Sequence, residues 1–195
     1  MTTRTIWFIS DTHFGHENFL TFRREGGERI RPFSSLKEMD ETMIARWNER
    51  VAENDIVYHL GDVAMGDRVT VLDAIMPRLK GRKRLVLGNH DTAEMGVYRK
   101  HFQKITSWRS FDEDLCGPGR SFVACHYPLH ESSFRLPGDY GIDGARFCVH
   151  GHIHERVINH PCYFNVCVEQ TNYAPVSLQE ILTMMEKRVA KAALT

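Results

Sequence analysis

Apolar positions follow two rhythms along this chain, and the rhythms mark its elements. Residues 5–10, TIWFIS, form a short apolar run closed by a polar turn, which predicts a buried strand. Residues 14–33 have no period, and Gly26-Gly27 and Pro32 interrupt them. Over 35–51 the period becomes helical, with Leu36, Met39, Met43, Ile44, Trp47 and Val51 on one side. Ser34 or Ser35 with Glu38 supplies a capping box. Strand runs at 55–60 and 83–87 bracket a helix over 67–79 that stops at Pro77 and Gly81. A short helix follows near 93–101. Beyond it, 109–115 and 121–126 flank Gly117-Pro118-Gly119 as a hairpin, 145–150 and 162–168 are strands, and 177–192 is a closing helix.

Strand-helix alternation in the first half predicts right-handed βαβ units on a parallel sheet. The strand-rich second half adds another sheet. The pattern therefore reads as α/β, two facing mixed sheets with helices outside, and with no linker it reads as one domain across 1–195.

Composition narrows the class. With 25 basic and 25 acidic residues in 195, the chain is neutral, which argues against global charge holding it to nucleic acid or membrane. At 42% hydrophobic and 26% charged it is not disordered. The opening residues read as neither signal nor transit peptide, and no stretch reaches the ~18 apolar residues of a spanning helix. Five cysteines without a CxxC pair imply reduced thiols, Cys125 buried and inert among them, and a cytoplasmic setting.

Histidine, at 11 residues, is the outlier, and it clusters. Five apolar runs stop at polar groups: Asp11-Thr12-His13, Gly61-Asp62, Gly88-Asn89-His90-Asp91, Cys125-His126-Tyr127, and Gly151-His152 with His154. Loops at the carboxyl ends of strands converge in open α/β sheets, so these groups can meet. Asp oxygens, imidazoles and an Asn carbonyl form an O/N ligand set for Mn, Zn, Fe or a similar divalent ion. Asp11 and His13 are two apart, as are His152 and His154, which in an extended stretch puts each pair on one side. Asp11, His13, Asp62, Asn89, His126, His152 and His154 are too many for one tetrahedral ion and suit two ions about 3.5–4 Å apart sharing a carboxylate. Such a pair makes hydroxide from water at neutral pH and clamps the oxygens of an in-line displacement at phosphorus. His90, beside a ligand but surplus to the ligand count, is a candidate to steady the developing charge or to protonate the leaving group.

The ordered set DxH…GD…GNHD…H…GHxH, from Asp11 to His154, resembles the calcineurin-like metallophosphoesterase superfamily. That resemblance implies a four-layered α/β/β/α sandwich with a dinuclear site. By position, Asp11, His13, Asp62 and His154 would hold one metal, Asp62, Asn89, His126 and His152 the other, and His90 would be the catalytic histidine. The chain departs from the Ser/Thr phosphatase branch at Met65, where that branch has an Asp that orients the histidine; Asp91, Asp67 or His16 could substitute. Its size resembles the small bacterial and phage-type members, many of which hydrolyse phosphodiesters.

The expected activity is therefore metal-dependent hydrolysis of a phosphate ester, a phosphodiester first, with Mn and with Zn, Fe, Ni or Co as alternatives. A phosphomonoesterase acting on a nucleotide or small molecule is the alternative enzyme, and a non-catalytic scaffold of the same fold the alternative class. Nucleic acid enters only as a substrate, and no membrane is expected. His16 and Tyr127 are candidate substrate contacts, and loops 14–33 and 129–145 carry substrate choice. Arg23–Arg31 is either a solvated loop or the source of a phosphate-binding Arg. His59 and His150 read as supporting or packing residues, His101, His130 and His160 as surface, and Trp47, Phe102 and Trp108 as core.

Overall fold

The structure is a computed structural model and describes residues 4–118, 120–133 and 146–192. β1 (Ile6–Ile9), β2 (Ile56–His59), β3 (Arg82–Val86) and β4 (Lys104–Thr106) run parallel, and β9 (Val176–Ser177) closes the sheet antiparallel to β1, in the order β4-β3-β2-β1-β9. Its central strands are apolar on both faces because both are covered. Trp7, Ile9, Val57 and Leu85 face α1 (Leu36–Arg50), α2 (Arg68–Ile75) and α3 (Met95–His101). Phe8, Ile56, Tyr58 and Val86 face the other way, into a second apolar layer.

That layer is shared with the second sheet, β5 (Trp108–Phe111), β6 (Phe122–Cys125), β7 (Phe147–His150) and β8 (Tyr163–Asn165), in that order. β5 is antiparallel to β6, whereas β6, β7 and β8 are parallel, so both sheets are mixed and flanked by helices, as the pattern predicts. Phe8 packs edge-on against Phe111 and Phe122 across the gap, with centroids 5.2 and 5.6 Å apart. α5 (Leu178–Ala192) buries Ile181, Leu182 and Met185 in the same layer.

Local chemistry fixes the element ends. Ser35 caps α1 by accepting the Glu38 N–H, while Glu38 accepts the Ser34 N–H, a reciprocal pair. Asp67 caps α2 through Thr70. The sequence reading differs from the fold at three places. The strand expected over 109–115 stops at Phe111 because Asp112 caps a one-turn helix, α4 (Glu113–Cys116). Trp108, expected in the core, starts an edge strand and is exposed. β4 and β9 have two or three residues each, too short for either period to register.

One crossing matters for the site. After β8 the chain leaves the second sheet and bridges β1: Ser10 N–H donates to Val166 O and Val168 N–H to Ser10 O. The carboxyl ends of β1, β2, β3, β6 and β7 thereby open onto one surface. All five cysteines are buried and free, and no helix among the described residues is long and apolar enough to cross a membrane.

Candidate metal centre

The first loop leaves β1 at Ser10, and Asp11 and His13 turn into the left-handed region (φ +58° and +45°). Asp62 (+57°), His152 (+70°) and His154 (+51°) do the same after β2 and β7. The side chains two apart therefore converge through left-handed turns, not through the extended spacing that the sequence suggested. Such backbone costs on the order of 1–3 kcal/mol per residue unless its surroundings enforce it. Here they do. Asp91 accepts the N–H groups of Asp62, Val63 and Gly88, and Asp11 and His13 donate their N–H groups to Gly61 O and Asp62 O. Gly88 and Gly151 sit directly against the two carboxylates, where a Cβ would collide with Asp62 Oδ1 and with Asp11 Oδ2.

Each carboxylate divides its work. Asp62 Oδ1 accepts the His90 N–H, leaving Oδ2 3.5 Å from both His13 Nε2 and His126 Nε2. Asp11 Oδ2 accepts the His152 N–H and the Cys167 thiol, leaving Oδ1 without a hydrogen bond, 3.8 Å from His13 Nε2 and 3.7 Å from His154 Nε2. The result is two clusters of converging ligand atoms: Asp11, His13 and His154, and Asp62, His126 and His152. Asn89 joins the second through Oδ1, 3.0 Å from His126 Nε2.

The donor chemistry fits divalent cations. His126 Nδ1 gives its hydrogen to Leu60 O, so in the neutral ring Nε2 presents a lone pair toward Asp62 Oδ2 and Asn89 Oδ1. Acceptors crowded onto one point repel one another until a cation lies among them. Both ring nitrogens of His13 lack any hydrogen-bond partner. Burial lowers His13 to about 4 and also lowers His152, keeping their rings neutral and able to ligate. Burial raises Asp62 to about 6. Burial also acts to raise Asp11, but the nearby His13 ring, 3.8 Å away, and the charges of His126 and His154 hold it well below the usual carboxylate range.

The residues around the clusters sort clearly. His90 lies beside the first, its ring 5.5 Å from His13, and its carbonyl accepts Arg68 Nε. Asp91 is committed to backbone N–H groups and Asp67 to its helix cap, so neither orients the His90 ring in place of the Asp that Met65 displaces. His16 packs 5.5 Å from His13, against Phe19 and Phe22. Tyr127 is exposed, edge-on to His126 and His152. His59 donates from Nε2 to Thr12 Oγ1, which itself donates to Val63 O, and burial lowers His59 to about 3. His150 is buried with Nδ1 on Gly151 O. Loop residues 134–145 lie outside the described residues.

Two residues escaped the sequence reading. Arg31 is neither solvated nor phosphate-facing. It is fully buried and donates to Asp11 O (2.6 Å), Thr12 O (2.8 Å) and Glu169 (2.7 Å). Glu169 in turn accepts from His154 Nδ1 at 3.2 Å. The signal for Glu169 was present: the apolar run 162–168 ends on it as the other five runs end on their polar groups.

Comparison with known proteins agrees with this geometry. The model of the calcineurin-like phosphoesterase superfamily domain matches residues 5–166. An uncharacterized protein, MJ1445, of Methanocaldococcus jannaschii is 32% identical over 195 residues, spanning 96% of this chain and 94% of that one. The gene 66 protein of Mycobacterium phage L5 is 28% identical over 170 residues, 78% of each chain. The crystal structure of AQ665 from Aquifex aeolicus, a protein of unknown function, superposes with a TM-score of 0.70 at 25% identity, over 92% of this chain and 98% of that one.

Proposed function

The chain belongs to the calcineurin-like phosphoesterase superfamily, and from that premise we propose that it is a two-metal phosphodiesterase. The observation that carries this reading is Asp62 Oδ2, 3.5 Å from a histidine nitrogen of each cluster. One carboxylate oxygen would thus serve both. Asp11, His13, Asp62 and His154 would hold one ion, and Asp62, Asn89, His126 and His152 the other. Manganese is the expected ion, with zinc, iron, nickel or cobalt also suited to the ligand set. Divalent ions there supply Lewis acidity, which acidifies water near neutral pH and neutralises phosphoryl oxygens.

The chain's own groups do the rest. His90, half-buried at the edge of the first cluster, donates a proton to the leaving oxygen. Its backbone N–H on Asp62 Oδ1 couples its position to the shared carboxylate. Tyr127 and His16 flank the two clusters and contact the organic part of the ester. A diester is preferred because the chain resembles small members of the family, many of which hydrolyse phosphodiesters.

The test compares hydrolysis of bis-p-nitrophenyl phosphate and p-nitrophenyl phosphate by chelated protein refilled with Mn, with Asp62→Asn as control. Faster release from the diester, lost in Asp62→Asn together with at least one metal, is expected. Faster release from the monoester would overturn the diester preference, and full activity of Asp62→Asn with two bound metals would overturn the shared carboxylate.

A further inference from the structure

The two clusters are held in place by different means. Behind the Asp62 cluster, His126 leans on a backbone carbonyl, Leu60 O, and His152 on the rings of His126 and Tyr127. Behind the Asp11 cluster lies a buried charged chain. Glu169 Oε1 accepts from Arg31 Nε, with Arg31 Nη2 also at 2.7 Å, and from His154 Nδ1 at 3.2 Å. Neither charged side chain reaches water: Arg31 is 0% and Glu169 1% exposed. Arg31 continues the chain into the Asp11 and Thr12 carbonyls, and its guanidinium lies over the Phe19 ring, 3.7 Å from the centroid.

A carboxylate only accepts, so Glu169 obliges His154 to carry a hydrogen on Nδ1 and to turn Nε2 toward Asp11 Oδ1, 3.7 Å away. Through Arg31 the same carboxylate fixes the left-handed backbone that presents Asp11. Two of the three members of that cluster therefore answer to one side chain, which lies beyond the residues that match the family model.

We propose that Glu169 is a positioning residue for the Asp11–His13–His154 cluster alone, setting the tautomer of His154 and the pose of Asp11 so that this cluster binds its cation more tightly than it could unaided. The inference rests on the two-metal reading above. A carboxylate behind a ligating histidine also raises the basicity of the ring, and removing such partners costs about 10–100-fold in metal affinity.

The test is Mn²⁺ titration of chelated wild-type protein and Glu169→Gln, followed by calorimetry and by Mn²⁺ electron paramagnetic resonance. Thermal unfolding of both apo-proteins and ¹⁵N-detected tautomers of the His154 ring are recorded alongside. Wild type should take up two ions. In Glu169→Gln one site should weaken by about 10–100-fold while the other keeps its affinity, the spin-coupled signal should give way to that of an isolated ion, and the Nδ1–H preference of the metal-free His154 ring should weaken, because the amide oxygen still accepts but carries no charge. Two unchanged affinities, or equal weakening of both sites with a lowered Tm, would make Glu169 a purely structural residue and overturn the proposal. Wild type that takes up no Mn²⁺ would overturn the two-metal reading itself. Should Glu169→Gln not fold, Glu169→Asp keeps a charge for Arg31 but is one methylene too short for His154, and the same one-site loss is required of it.

Discussion

Removing the Arg31 guanidinium should cost more than removing any surface ion pair of equal length. Arg31→Met keeps much of the side-chain volume but strands the Glu169 carboxylate at 1% exposure, and Asp11 O and Thr12 O lose their buried donors. Breaking a buried pair by deleting one partner costs about 3–5 kcal/mol, because the remaining charge cannot reach water. The pair Arg120–Glu186 has the same 2.7 Å separation but is 31% and 57% exposed, so Arg120→Met should cost less than about 1 kcal/mol. Burial, not distance, separates the two outcomes. Urea unfolding of the chelated proteins, followed by circular dichroism, measures both. Arg31→Met should fall by about 3–5 kcal/mol, and Arg31→Met/Glu169→Leu should regain part of the loss because no charge is left stranded. A loss for Arg31→Met no larger than that for Arg120→Met would refute the claim that a desolvated charge network supports the first loop.

Three further outcomes follow from the site. His90→Asn should keep its metal content while kcat falls by ~10²–10⁴, and unchanged turnover would remove His90 from the mechanism. Gly151→Ala pushes a methyl group into Ser10 and Asp11 Oδ2; both stability and metal uptake should drop, and a variant with wild-type Tm and stoichiometry would show that the close approach is dispensable. His59 supplies a pH dependence with a definite sign. Burial lowers its folded pKa to about 3 from the ordinary 6.5, so the unfolded chain binds the extra proton and stability is lost as pH falls from about 6.5 toward 3. Between pH 7 and 5 that loss is about 2 kcal/mol. His59→Gln, which can still donate to Thr12, should flatten the dependence of the apo-protein by that amount; equal slopes in both proteins would place the proton elsewhere.

The parts legible in the sequence were those with a period or a motif. β1, α1, β2 and α2 fall where apolar spacing puts them, because each buries a face large enough to impose a rhythm. The seven candidate ligands were legible because their residue types and strand-end positions are unusual together. Arg31 was not: it sits in a loop of alternating charge, and nothing local distinguishes a guanidinium that turns inward from Arg24, which pairs with Glu28 in the same loop. The strand over 109–115 failed for a local reason, since Asp112 offers the backbone a helix cap that periodicity does not register.

The backbone at the site shows why residue type and geometry could be read together at all. Five of the seven candidate ligands occupy left-handed conformations, a region that most side chains avoid but that Asp, Asn and His enter several-fold more readily. The turn that aims Asp11, His13, Asp62, His152 or His154 inward therefore asks for the same residue types that a divalent cation asks for. Conformational and chemical demands coincide on one side chain, so a substitution such as His13→Leu removes a ligand atom and adds backbone strain at once. Asn89 and His126, absent from the positive-φ residues, separate the two demands. Replacing Asn89, which is exposed, should weaken the Asp62 cluster with little effect on folding, whereas replacing Asp11 should lower both.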